Sequence, residues 1–246
     1  MTSNGKSKRR RERLGLQLPV RIQCRETADH GWVEMTRLLD VTPFGASFHT
    51  AHPTEQGRLL HLTMPLPRQL RCFDHAEDQY RVWTLVRHVE QDETANGVLR
   101  FTVGSAFIGK HPPPSYTSDP AKRYEVAEPN EFGLCEVHEQ KKRVYVRSDE
   151  LRPETRLDLP IEVTIEVFDE KGGVATSEMT VTENISRRGA AVFTSLDVRA
   201  GCFVRLKSKQ YKLSVTAAVR NIRTGRDGRT RLHLEFVAGE FPLEGI

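Results

Sequence analysis

Asp40-Val41-Thr42-Pro43-Phe44-Gly45 and Asn184-Ile185-Ser186-Arg187-Arg188-Gly189 are one pattern written twice: a polar acceptor, a hydroxyl two residues on, and a glycine three further. An arginine pair stands upstream of each, Arg9-x-x-x-Arg13 before the first and Arg152-x-x-x-Arg156 before the second. The arginine pairs recur at an offset of 143 and the glycine motifs at 144. The apolar positions between them also match, Leu14, Leu16, Leu18, Val20 and Ile22 against Leu157, Leu159, Ile161, Val163 and Ile165. Self-similarity this long at a fixed offset means two copies of one domain, so each half checks the reading of the other.

Most segments read as strands. Leu14 to Cys24 alternates apolar and polar residues, as a half-buried strand does, and Pro19 marks a strand start or an edge. Tyr80 to Val89 and Val98 to Ile108 flank Asn96-Gly97, a strong hairpin signal. The second half repeats the arrangement with Leu213 to Ile222, Asp227-Gly228 and Thr230 to Val237. The expected fold is mainly all-β, two tandem small antiparallel barrels with little helix.

The boundaries follow from composition. Residues 1–13 form a basic tail, 14–112 the first barrel, 113–146 a partly ordered linker and 147–246 the second barrel. Pro112-Pro113-Pro114 favours an extended polyproline segment. In the linker Phe132, Leu134 and Val137 could pack on a domain, and Lys141-Lys142-Arg143 is basic.

A chain of 246 residues with 37% hydrophobic and 28% charged residues suits two soluble domains of ordinary size. No apolar run approaches the ~20 residues that span a bilayer, and the basic N-terminus lacks the apolar stretch of a secretion signal. A cytoplasmic protein without membrane insertion is expected. The net charge of +4 sits in the tail, where Lys6, Lys8, Arg9, Arg10, Arg11 and Arg13 face Glu12 alone. Cys24, Cys72, Cys135 and Cys202 are scattered without C-x-x-C or paired Cys/His spacing, so neither disulfides nor a metal are expected. Nothing reads as an enzyme: no nucleophile–base arrangement, H-E-x-x-H, Walker loop or dinucleotide turn is present.

Two arginines ahead of a strand, followed by [D/N]-x-[S/T]-x-x-G, resemble the PilZ domain, a small β-barrel that binds the bacterial second messenger cyclic di-GMP. The resemblance covers roughly 8–112 and 147–246. It implies phosphate and guanine contacts from Arg9, Arg10 and Arg13 in the first copy and from Arg152 and Arg156 in the second. It implies guanine-edge contacts from Asp40 and Thr42, and from Asn184 and Ser186, with Gly45 and Gly189 permitting positive φ and close backbone approach. The chemistry is consistent: a guanidinium fork donates to two phosphate oxygens and stacks on a purine. A carboxylate accepts both donors of the guanine Watson–Crick edge, and an amide oxygen does so less strongly. Pro153 stands where the first copy has Arg10, Thr42 replaces the commoner serine, and Lys8 and Leu151 precede the two pairs. The resemblance implies more ligand per site in the first copy.

The expected function is a cytoplasmic receptor or effector for cyclic di-GMP, with no cofactor. Ligand binding would change the arrangement of the barrels and regulate a protein partner in motility, exopolysaccharide or virulence output. The alternative is a protein-interaction adaptor with vestigial ligand sites. A nucleic-acid-binding barrel protein is disfavoured, because aromatic residues total only 7% and the basic charge is a tail, not a face.

Overall fold

A computed structural model describes residues 13–93, 98–127, 136–140 and 156–242. In the first half the strands are β1 (Pro19–Arg25), β2 (Gly31–Thr42), β3 (Gly45–Thr50), β4 (Leu59–Met64), β5 (Tyr80–Glu93) and β6 (Leu99–Gly109). A short helix α1 (Pro114–Ser118) and a hairpin of β7 (Tyr124–Val126) and β8 (Val137–Glu139) follow. The second half forms β9 (Glu162–Phe168), β10 (Val174–Ser186), β11 (Gly189–Thr194), β12 (Phe203–Ser208), β13 (Leu213–Thr224) and β14 (Thr230–Ala238). The strands close into two antiparallel barrels, ordered β1-β2-β3-β6-β5-β4 and β10-β11-β14-β13-β12-β9. With β9 to β14 set against β1 to β6, the two orders are the same.

Alternation decides which way each strand faces. Val20, Ile22 and Cys24 of β1 point into the first core with Leu38, Phe48, Leu62 and Phe101. Val163 and Ile165 of β9 point into the second with Ile185, Val192, Leu206 and Leu234. Pro19 opens β1, where its missing N–H costs no ladder bond. The regular strand does not extend back to Leu14. Leu16 N donates to Leu14 O and Leu18 N to Leu16 O, so these amides are used in successive tight turns and are lost to a ladder. No helix among the described residues is long and apolar enough to cross a membrane.

The connector packs on the first barrel. Pro113 is extended, with φ −56° and ψ 144°, but Pro114 is already the first residue of α1. The three prolines therefore do not run on as an extended spacer; a proline suits the first helical turn equally well. Tyr116 and Tyr124 are buried against Leu59 and Leu85 on the outer side of β4 and β5, with Val137 packed beside them. Phe132, Leu134, Lys141, Lys142, Arg143 and the Asn96-Gly97 turn lie outside the described residues.

One polar device recurs in both barrels. Glu34 on β2 accepts the Thr50 hydroxyl at 2.5 Å and the Ala51 amide, and Glu178 on β10 accepts the Thr194 hydroxyl at 2.5 Å and the Ser195 amide.

The barrels meet reciprocally. The β1–β2 turn of the first touches the β11–β12 loop of the second, where Arg199 pairs with Asp29 at 3.3 Å. The β9–β10 turn of the second touches the β3–β4 loop of the first, where His52 Nε2 donates to Glu170 O at 2.8 Å. Between them lies Arg58, only 1% exposed. Its guanidinium donates to Glu26 O, Pro120 O and Gly201 O, pairs with Glu55 at 3.2 Å and lies over the Phe203 ring. Arg220 of β13 binds both Glu55 and Glu235. Thr216 donates to Gln91 at 2.6 Å.

Candidate functional site

In the first barrel Leu14 and Val41 exchange two main-chain hydrogen bonds of 3.0 Å, which fix the end of the arginine segment on β2. Arg13 is thereby set beside Asp40, with Nη1 donating to Oδ2 at 3.1 Å. In the second barrel Leu157 and Ile185 exchange the same two bonds, at 2.8 and 2.9 Å. Arg156 Nη1 donates to Asn184 Oδ1 at 3.3 Å. The sequence pairing of arginine with acceptor is thus a spatial pairing in both copies. Arg9, Arg10 and Arg152, with Lys8 and Leu151, lie outside the described residues.

A strand irregularity aims each acceptor. The β2–β3 register shifts between Leu38 and Asp40, and the β10–β11 register shifts between Thr182 and Asn184. The extra residue turns Asp40 and Asn184 outward and keeps their neighbours Val41 and Ile185 in the cores.

Each hairpin turn closes on the motif hydroxyl. Thr42 Oγ1 accepts from the Phe44 amide at 3.2 Å and donates to Gly45 O at 3.4 Å, and Ser186 Oγ donates to Gly189 O at 3.2 Å. Neither glycine has a positive φ. What these positions exclude is a Cβ, which would sit 2.2 Å from Ser105 O at position 45 and 2.4 Å from Leu234 O at position 189. The motif glycines serve close strand approach, not left-handed geometry.

The sheet beside each acceptor supplies residues that the motif does not name. Across the first barrel the register runs Asp40, Ser47, Gly104, His88, and across the second Asn184, Ala191, His233, Asn221. The first row has an open floor, since even a Cβ on Gly104 would meet its nearest neighbour, His88, at 3.7 Å. The second has a histidine, whose pKa is held below its ordinary value by burial and then by Arg223 and Arg156. His233 Nε2 is buried without a hydrogen-bond partner. Nothing in the sequence motif points to His88 or His233, because cross-strand neighbours are distant in the chain. Arg187 and Arg188, in the second turn, both pair with Glu240 at 3.2 and 3.3 Å.

Each site therefore offers a guanidinium, an outward acceptor and a short hydroxyl around a tight turn, on an outer barrel face. That combination suits a ligand with phosphate and a hydrogen-bonding base.

No curated protein sequence matches the chain. Among solved structures it is similar to the Bacillus subtilis inhibitor of motility (MotI/DgrA), with 13% identity, coverage of 91% of this chain and 88% of that one, and a TM-score of 0.30. It is similar to K. pneumonia MrkH in its c-di-GMP complex, with 10% identity, coverage of 89% and 79%, and a TM-score of 0.29. It is similar to Escherichia coli YcgR in complex with c-di-GMP, with 12% identity, coverage of 89% and 76%, and a TM-score of 0.29. Residues 142–242 match the PilZ domain family, a stretch that takes in the whole second barrel together with Arg152, Arg156, Asn184, Ser186 and Gly189.

Proposed function

We propose that the protein is a cytoplasmic, non-enzymatic receptor for cyclic di-GMP with one site on each barrel. One observation carries this reading: the arginine-to-acceptor contact, Arg13 to Asp40 and Arg156 to Asn184, stands at the same place on both barrels. The match of residues 142–242 to the PilZ domain supports it for the second copy. Arg13 and Arg156 turn from these acceptors to the ligand phosphates. Asp40 and Asn184 then accept from the guanine edge, and Thr42 and Ser186 keep a lone pair free for a base donor. Arg9 and Arg152 lie four residues from Arg13 and Arg156, within about 13–14 Å along an extended chain, and complete the clamp.

The second site also has a route to the barrel boundary. Gly189 stands opposite Glu235 in the β11–β14 register, and Glu235 binds Arg220, which binds Glu55 of the first barrel. A boundary built from charged groups separates at lower cost than an apolar one, because water solvates what the partner releases. Ligand drawn onto the second clamp shifts this boundary, and a protein partner reads the new arrangement. Calorimetric titration of the intact chain with cyclic di-GMP tests the reading. Saturable binding at both sites is expected, and absence of binding overturns it.

A further inference from the structure

Glu26, His30 and Cys202 bring a carboxylate, an imidazole and a thiol within 4.8 Å of one another at the barrel boundary. Main-chain bonds fix all three positions. Glu26 N donates to His30 O at 2.9 Å across the β1–β2 turn. Cys202, in the β11–β12 loop, donates to Arg199 O at 3.2 Å and accepts from Val219 N at 2.9 Å. His30 Nε2 lies 3.6 Å from Glu26 Oε2, long for a hydrogen bond. It suits two ligands of one ion: zinc–nitrogen and zinc–oxygen bonds of about 2.0–2.2 Å, opened to a tetrahedral angle, put the ligand atoms about 3.3–3.6 Å apart.

The carboxylate is buried, 5% exposed, and has no guanidinium of its own. Arg58, which lies close by, touches only the main-chain oxygen of Glu26 and is otherwise committed to Pro120 O, Gly201 O and Glu55. A buried carboxylate beside a thiol and an imidazole is a donor set that a divalent cation can neutralise.

We propose that Glu26, His30 and Cys202 form a zinc-type metal site that ties the two barrels together. One oxygen, one nitrogen and one sulfur ligand suit zinc, whereas calcium and magnesium prefer oxygen alone. His30 opens on a cavity of about 520 Å³, also lined by Asp29 and Glu170, from which water takes the fourth position. Binding releases the thiol proton to solvent. The site exists once, because the residue equivalent to Cys202 in the first copy is Arg58.

The test is a cobalt(II) titration of the intact, metal-stripped protein under reducing conditions, with zinc competition. One equivalent should bind, with a near-ultraviolet thiolate-to-cobalt band that zinc abolishes. Cys202→Ser should lose the band, and Cys72→Ser should keep it. His30→Ala, at a partly exposed position that tolerates truncation, should weaken binding at least roughly tenfold with the fold intact by circular dichroism. Absence of stoichiometric binding, a band that survives Cys202→Ser, or undiminished affinity in His30→Ala overturns the proposal. None of these readouts involves cyclic di-GMP.

Discussion

Glu55 and Arg220 form a two-pronged ion pair across the barrel boundary, with Arg220 Nη1 2.8 Å from Oε1 and Nη2 on Oε2. Arg58 and Arg123 approach the same carboxylate at 3.2 and 3.6 Å. Burial works against ionisation of Glu55, yet Arg220 and the other two guanidinium groups hold its pKa below the usual value. Removing the anion leaves Arg58 buried without its counter-charge. Glu55→Gln should therefore destabilise the protein by about 3–5 kcal/mol. Urea unfolding of the intact chain measures it. Glu90→Gln, at an exposed position, should stay within about 0.5 kcal/mol of the parent.

His52 makes stability depend on pH. Its ring stacks on Trp32, and its two nitrogens reach Glu34 Oε2 and Glu170 O, both at 2.8 Å. Both partners are acceptors, so both nitrogens donate and the ring carries charge. Burial alone would lower its pKa, but Glu34, the Glu170 carbonyl and the nearby Glu26 raise it above the ordinary 6.5. A raised folded value means that the contribution is complete below pH 6.5 and fades as pH climbs through the folded value. Glu34 is lowered from 4.5, against its burial, by His52, Thr50 and Ala51, so its part is complete above pH 4.5 and fades on acidification. The pair should stabilise most between pH 4.5 and 6.5. His52→Leu, which installs the residue type of the equivalent Leu196, should flatten the alkaline decline in melting temperature.

Gly45→Ala and Gly189→Ala should each cost about 1–3 kcal/mol, because the new methyl meets a carbonyl oxygen of the neighbouring strand. Chemical denaturation reads the loss. Equal stability of both variants and the parent would refute the close-approach explanation.

Arg13→Ala and Arg156→Ala should each weaken one cyclic di-GMP site and leave the other. Loss of a charge-assisted contact is worth about 1.5–3 kcal/mol, or roughly 10- to 150-fold in affinity. Calorimetry on both single variants and the double variant separates the sites. Parent-like binding by the double variant would remove the assignment.

Ligand at the second site should change the small-angle scattering profile of the whole chain. Arg156→Ala should abolish the change and Arg13→Ala retain it. An unaltered profile at saturation would confine the response to local ordering.

The barrels were legible because their signals are local. Alternation in β1 and β9 and the Asp227-Gly228 turn need only neighbours in the chain. The acceptor turns were legible because they recur. The boundary was not, since Arg58, Glu55 and His52 each also reach a partner in the other copy. A signal was nonetheless present. Arg58, Glu55 and His52 align without a gap on Cys202, Arg199 and Leu196, changes of chemical kind inside a conserved frame of Thr50 and Gly57 against Thr194 and Gly201. At these three positions the copies differ where they touch. How the connector packs was not legible for a different reason: Tyr116 and Tyr124 are isolated aromatics with no periodic pattern, and only the outer face of β4 and β5 explains their burial.

The reciprocal contact of turn on loop and turn on loop has a further consequence. Two identical subunits that meet this way form an isologous pair, closed against further growth. Here the same geometry is written into one polypeptide, so the pairing is independent of dilution. Each partner is also released from the need to be identical to the other. Covalent fusion lets a symmetric dimer become an asymmetric one, with an arginine on one side of the axis and a cysteine on the other.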